Sequence, residues 1–214
     1  LRPRSTLFTY TTLFRSQNKK NGQRGTIVTF DVLQRLARTN NGLIEIIPPA
    51  VKRKIYFDID KKSANDPKIL DQCKEAVLAY FPNARFQSSG SAEDVKTSYH
   101  LVLSNYYASS HDSMYPLRIF CRLNAHLSFD RVVYKRFQLM KMVGQSKLDM
   151  RVQAFVDGSK ELSKHFIMHD FDDDAVDIRT IDFDFPIEEV KKLQSCKSEF
   201  AMDVMDIPEV RMTT

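Results

Sequence analysis

The chain has 214 residues, which is enough for one sizeable domain or for a domain of two lobes. Its 43% hydrophobic and 28% charged residues are ordinary for a folded globular protein, and no apolar run is long enough to span a membrane. Three widely spaced cysteines argue against a disulfide framework and show no zinc-ligand spacing. We therefore expect an intracellular protein, not secreted, with no structural zinc in this fragment.

The charge is unevenly distributed along the chain. Residues 170–214 carry 13 acidic and 5 basic side chains, whereas the rest carries 27 basic against 14 acidic ones. A basic body of this size indicates a polyanionic partner such as nucleic acid or nucleotide phosphates, although a merely basic surface would give the same count.

The first 16 residues are expected to be an assembly artefact or disordered. Residues 6–16, TLFTYTTLFRS, resemble the translation of a sequencing-library adapter and fit neither helical nor strand periodicity. We expect the true start of the protein to be missing, the folded core to cover residues 17–200, and residues 201–214 to be a tail or the start of another region.

The remaining elements follow in chain order. Polar residues 17–26 predict a loop, Phe30 to Gly42 a short helix with its stop, and the branched run 43–47 a strand. Residues 54–60 predict a second strand, and 66–81 a helix that starts at Asp66 with Pro67 in its first turn. Residues 85–91 are then expected to form a strand and a turn. Strands are expected at 98–104, 129–134 and 137–142, with helices at 113–127 and 186–196. This order indicates an α+β fold with a mostly antiparallel sheet.

Two carboxylates alternate at the end of the second strand, in KIYFDID. Asp58 and Asp60 project from one face, because residues i and i+2 of a strand point the same way. Their mutual repulsion would be relieved by a hard divalent ion such as Mg²⁺ or Mn²⁺. Two solvated acids at the end of a strand would give the same pattern.

A second alternating set lies in KTSYHLVL. Lys96, Ser98 and His100 would share one face of a strand and offer a cation, a hydroxyl and an imidazole to the oxygens of a triphosphate. A polar face turned to water is the plain structural interpretation.

A third acid, Asp130, begins the next apolar segment and could complete a two-metal site with the first pair. Lys141 and Lys147 follow it and could neutralise the phosphates of an incoming nucleotide. An exposed hairpin with a turn residue would also explain these three positions. The metal site requires that the three aspartates converge in the fold.

Together these motifs, ending in Ser146–Lys147, resemble the archaeo-eukaryotic primase superfamily, in the branch of eukaryotic primase-polymerase and the primases of herpesviruses and large DNA viruses. The resemblance covers roughly residues 26–150 and implies an N-terminal α/β module packed on an RRM-like antiparallel-sheet module. It implies DNA primase or primase-polymerase activity, with Asp58, Asp60 and Asp130 as catalytic ligands of two Mg²⁺ or Mn²⁺ ions. The nucleotide-binding residues would be Lys96, Ser98, His100, Lys141 and Lys147.

The resemblance also implies partners and a location. Single-stranded DNA template and nucleoside triphosphates would bind, a helicase domain or subunit would be a further partner, and no membrane would be involved. A viral member would work in the nucleus or in a cytoplasmic virus factory. One departure is Met140–Lys141, where the family usually has an aromatic residue followed by arginine, because lysine lacks the bidentate grip of arginine on phosphate.

Two other functions remain open on the sequence alone. A glycosyltransferase could use the Asp58–Asp60 pair to hold a metal-bound sugar nucleotide, and a non-catalytic RRM-like module could bind nucleic acid without metal. Phe137 and the pair Tyr106–Tyr107 could stack on bases or belong to the core. The pair His165/His169 could bind a metal if it lay on a helix, but it is expected to lie in a solvated segment.

Overall fold

The computed structural model describes residues 12–18, 22–28, 30–38, 42–61, 66, 68–93, 96–146, 151–188 and 191. The strands are Thr12–Asn18 (β1), Gly22–Val28 (β2), Leu43–Ile47 (β3), Arg53–Lys61 (β4), Phe86–Glu93 (β5), Lys96–Ala108 (β6), Gln138–Lys141 (β7), Ala154–Asp157 (β8) and Val176–Asp177 (β9). The α-helices are Phe30–Ala37 (α1), Ile69–Leu78 (α2) and Tyr115–Leu123 (α3).

The strands form two sheets, and the fold is α+β with mostly antiparallel pairing, as expected. The first sheet has the order β2-β1-β3-β7, and the second has the order β4-β6-β5-β8, with the short β9 running parallel to β6. In the described residues no helix is long and apolar enough to cross a bilayer.

The main core lies behind β4 and β6. Ile55, Phe57 and Ile59 of β4 are fully buried, and the Phe57 ring lies 5.2 Å from the ring of Phe120 on α3. Cys73 and Val77 of α2 are also fully buried in this core. Burying these apolar side chains anchors β4, so its polar side chains are held on the other face.

Several predicted elements agree with the structure. The strand at 43–47 is β3, the strand at 54–60 lies within β4, and the strand at 137–142 contains β7. The helix expected to begin at Asp66 begins at Ile69, and the Asp66 carboxylate accepts the backbone amide of Lys68 in the turn before it.

Two predicted elements are wrong. The expected loop at 17–26 is largely strand, because β1 and β2 pair from Thr12↔Val28 to Asn18↔Gly22. Residues 12–16, which were set apart from the fold, lie in β1, while residues 1–11 are outside the described part of the chain. The expected strand at 129–134 is a 3₁₀ turn at Arg131–Val133, because the Asp130 carboxylate caps that turn.

Of the C-terminal helix expected at 186–196, the structure describes residues 186–188 and 191. Residues 187, 188 and 191 are helical. Residues 192–214, which include the expected tail, lie outside the described residues.

Candidate metal centre

Three aspartates converge at one end of the second sheet. Asp58 and Asp60 lie on β4 with the buried Ile59 between them, so their carboxylates leave the same face. The Asp130 amide donates to the Asp58 carbonyl at 2.8 Å, and the Asp60 amide donates to the Ser128 carbonyl at 3.0 Å. One carboxylate oxygen of each aspartate lies within 4.8 Å of the others, and this group could hold a metal ion.

The position of Asp130 is set by its neighbours in the chain. Ser128 has a positive φ of 63°, which turns the chain onto the edge of β4. Phe129 is buried with its ring 5.4 Å from that of Phe57. The Asp130 carboxylate then accepts the Val132 amide at 2.8 Å as the cap of the following turn. Core packing and the cap together hold Asp130 beside the other two acids.

The second predicted motif lies directly beside the acids. In the register of β4 and β6, His100 is opposite Asp58 and Ser98 is opposite Asp60, so the motifs share one face of the sheet. Lys96 Nζ lies 2.8 Å from Asp60 Oδ2, and His100 Nε2 lies 3.9 Å from Asp58 Oδ1. The predicted common face of residues 96, 98 and 100 therefore agrees with the strand register.

The surroundings of Asp60 favour its ionised carboxylate. Burial raises the pKa of Asp60, but hydrogen bonds from Lys96 and Ser98 and the nearby positive charge outweigh burial and leave that pKa below its usual value. Oxygen donors of this type suit hard divalent cations, and a cation among them would relieve the repulsion of three neighbouring carboxylates. The residues present therefore fit a divalent metal ion.

Lys141 reaches the same region from the first sheet. It is buried on β7, and its Nζ donates to the Arg151 carbonyl at 3.3 Å. Together with Ser89 and His100 it lines a cavity between the two sheets. The structure thus buries Lys141 rather than placing it on an exposed hairpin. Lys147 lies outside the described residues, next to Ser146.

The cavity is also lined by Glu45 on β3, the strand that pairs with β7. Its carboxylate accepts the amides of Ile167 and Met168, both at 3.0 Å. Burial raises the Glu45 pKa, and these two hydrogen bonds act against that rise. The contacts tie the first sheet to the segment at 166–168 and so define the shape of the cavity.

Sequence reasoning missed the hydroxyl groups that continue the polar face onto β5. Ser89 is opposite His100, and Ser91 is opposite Ser98. Gln153 Nε2 donates to Ser89 Oγ at 3.3 Å, while Ser91 Oγ is buried with no hydrogen-bond partner among the described residues. The alternating serines were visible in QSSGS, but only the pairing of β5 with β6 places them beside the motif.

The expectation of a solvated pair at His165 and His169 is wrong. Both side chains are buried, and His165 Nε2 lies 2.7 Å from the Ser159 carbonyl oxygen. Burial lowers the pKa of His169 to about 4. The two histidines belong to the packed interior beside the cavity.

The aromatic candidates separate into two environments. Tyr106 is buried, and its hydroxyl donates to the Pro82 carbonyl at 2.6 Å, so it belongs to the core. Phe137 is 40% exposed.

Comparison with known proteins adds no relative. A scan against protein-family models gives no match, and a search of curated proteins gives no significant match. We therefore infer function from the geometry of the side chains at this centre.

Proposed function

We propose that this protein is a template-directed nucleotidyltransferase of the primase-polymerase type, which joins nucleoside triphosphates on single-stranded DNA. The observation that carries the proposal is the convergence of Asp58, Asp60 and Asp130 beside the basic and hydroxyl side chains of β6. Carboxylates alone occur in many metal sites. A metal-binding triad next to side chains that can donate hydrogen bonds to phosphate is suited to phosphoryl chemistry.

The three aspartates would hold Mg²⁺ or Mn²⁺, in a pair as in other nucleotidyl-transfer centres. When bound, such ions activate the attacking hydroxyl and stabilise the charge on the leaving phosphate. The contribution of the protein is to orient the ligands. The Asp130 cap and the strand positions of Asp58 and Asp60 set the directions of the carboxylates before any ligand binds.

The β6 side chains would receive the triphosphate of the incoming nucleotide. Lys96 forms an ion pair with Asp60, so a phosphate bound beside Asp60 would also lie within reach of Lys96. Ser98 and His100 would supply directed hydrogen bonds. Lys141, which lines the same cavity as His100, would act as a point charge, without the bidentate grip of an arginine. Lys147 stays a prediction.

The fold supports a two-module core of the archaeo-eukaryotic primase type. Two sheets border one cavity, and the candidate nucleotide ligands His100 and Lys141 come from different sheets. Membership of that superfamily is part of the proposal.

Nucleotide incorporation on a single-stranded template tests the proposal. The purified chain is supplied with Mn²⁺ or Mg²⁺ and labelled ribo- or deoxyribonucleotides, with and without a primer. We expect elongated products from the wild type and none from Asp58→Ala/Asp60→Ala. The control is Asp71→Asn/Asp173→Asn, which removes two exposed carboxylates from other parts of the surface and should leave synthesis intact.

Synthesis by the double alanine variant would contradict the assignment. Release of sugar from a sugar nucleotide, without nucleotide incorporation, would instead identify a glycosyltransferase. Binding of single strands that is indifferent to metal and triphosphate, again without incorporation, would identify a non-catalytic module.

A further inference from the structure

A basic and aromatic segment follows the third aspartate directly. We call residues 131–137, RVVYKRF, the basic loop. It contains Arg131, Lys135, Arg136 and Phe137, and no acidic residue occurs anywhere from 131 to 148. Such a composition suits a polyanion that also has flat, apolar surfaces.

The basic side chains of the loop, and Phe137 beside them, are exposed to solvent. Arg131, Lys135 and Arg136 are exposed, and Phe137 is 40% exposed. Within the described ranges none of these three bases forms an ion pair, whereas other bases do; Lys74 pairs with Asp157, for example. Among the described residues, no carboxylate is therefore ion-paired with Arg131, Lys135 or Arg136.

The backbone of the basic loop is nevertheless firmly anchored. The Tyr134 hydroxyl donates to the Tyr56 carbonyl at 2.7 Å, and the Tyr56 hydroxyl donates to the Val133 carbonyl at 3.0 Å. The Arg118 guanidinium also donates to the Tyr134 carbonyl. Tyr134 is almost fully buried, so the exposed residues on either side of it are presented from a fixed point. A pre-organised surface loses less entropy on binding than a free loop.

The basic loop begins at the metal centre. Arg131 follows Asp130, and Phe137 lies seven residues further than Asp130, which places it at most about 25 Å from that aspartate. Arg136 belongs to a wider positive region around His111. Burial has the largest effect in lowering the pKa of His111, and the charges of Arg118, Arg53 and Arg136 lower it further. One strand of nucleic acid could contact the basic loop and the metal centre at the same time.

We propose that the basic loop binds single-stranded nucleic acid, with Arg131, Lys135 and Arg136 on the phosphates and Phe137 stacked on a base. It is the surface that guides the strand to the three aspartates. This role rests on the proposed function, because the strand bound there is the one that the metal centre copies or extends.

Fluorescence anisotropy with a labelled 20-nucleotide oligothymidylate tests the charge contacts. Measurements in EDTA without nucleotide separate this binding from the metal centre. Each phosphate contact contributes a slope of about −0.7 to the dependence of log K on log salt, which is about fivefold in affinity at 0.1 M salt. Lys135→Gln/Arg136→Gln should therefore weaken binding about 25-fold and reduce the slope by about 1.4.

The matched control is Lys68→Gln/Arg38→Gln, which removes the same net charge from two exposed positions. Lys68 immediately precedes α2, and Arg38 immediately follows α1. This control should bind almost as the wild type does. Equal effects of the two double variants would overturn the proposal, because binding would then depend on overall charge and not on the basic loop.

The stacking contact is tested at Phe137. Phe137→Leu should weaken oligothymidylate binding by about 5- to 100-fold, and Phe137→Tyr should retain it. Binding of heparin, a polyanion without bases, should be equal in both variants. Unchanged oligothymidylate binding by Phe137→Leu would refute stacking. Matching thermal unfolding midpoints will show that each variant is folded.

Failure of this proposal is distinguishable from failure of the proposed function. A wild type that incorporates nucleotides but binds oligothymidylate independently of the basic loop refutes only the surface. Binding that depends on the basic loop, in a protein that never incorporates nucleotides, supports the surface and refutes the polymerase assignment.

Discussion

Replacing Asp130 by asparagine tests whether three carboxylates are held together at the cost of stability. Asparagine is as good a helix cap as aspartate, so Asp130→Asn keeps the hydrogen bond to the Val132 amide and removes the charge. The metal-free variant should therefore be more stable than the wild type, although it loses a ligand.

The magnitude follows from the separation of the carboxylates. The chosen carboxylate oxygens lie within 4.8 Å of one another, and two unit charges at that upper limit repel by about 1 kcal/mol in water and by about 3 kcal/mol at an effective dielectric constant of 20. Asp130 takes part in two such pairs, and the partial exposure of the site and the charge of Lys96 reduce the sum. We expect a net gain of about 1–3 kcal/mol, or an increase in Tm of about 2–10 °C for a chain of this size.

Thermal unfolding with EDTA and with Mn²⁺ provides the measurement. A ligand at 100 times its Kd stabilises the folded state by about 2.7 kcal/mol. Mn²⁺ should therefore raise the Tm of the wild type clearly and that of Asp130→Asn little. A wild type that is less stable than Asp130→Asn in EDTA but more stable than Asp130→Asn in Mn²⁺ would be characteristic of a cation site.

Asp130→Ala serves as the comparison variant, because it removes both the charge and the cap. Loss of a cap costs about 0.5–2 kcal/mol, so this variant should be less stable than Asp130→Asn. If Asp130→Asn is less stable than the wild type in EDTA, and Mn²⁺ stabilises both equally, the reasoning is refuted.

Two further predictions concern stability. The folded pKa of His169 is about 4, below its usual value, so folded molecules bind fewer protons than unfolded ones between pH 4 and 6.5. The contribution of His169 to the free energy of unfolding, measured by urea titration, should fall by up to about 3 kcal/mol as pH decreases through that window. His169→Gln should remove this contribution and leave those of His111 and His165, whose pKa values burial also lowers; an unchanged pH profile would count against burial of a neutral imidazole at position 169. At Gly90 an added Cβ would overlap the Tyr99 ring, so Gly90→Ala should lower the free energy of unfolding by about 1–3 kcal/mol, and a variant as stable as the wild type would show that this packing is wrong.

The candidate site illustrates what local sequence can predict. The alternation of Asp58 with Asp60, and of Ser98 with His100, determines which side chains share a face, because the period of a strand is two residues whatever its partners are. The apolar residues between them, such as Ile59, determine which face is buried. Strand β3 was predictable for a different reason, its run of branched residues ending at Pro48–Pro49.

Only the tertiary structure decided how these faces meet. The segment at Asp130 looked like a strand, but burial of Phe129 and the Asp130 cap turn it against the edge of β4. Ser89 joined the site only through the register of β5 with β6, and Lys141 only through packing of the two sheets. Contacts between residues far apart in the chain depend on which buried surfaces fit together, and no local period carries that information.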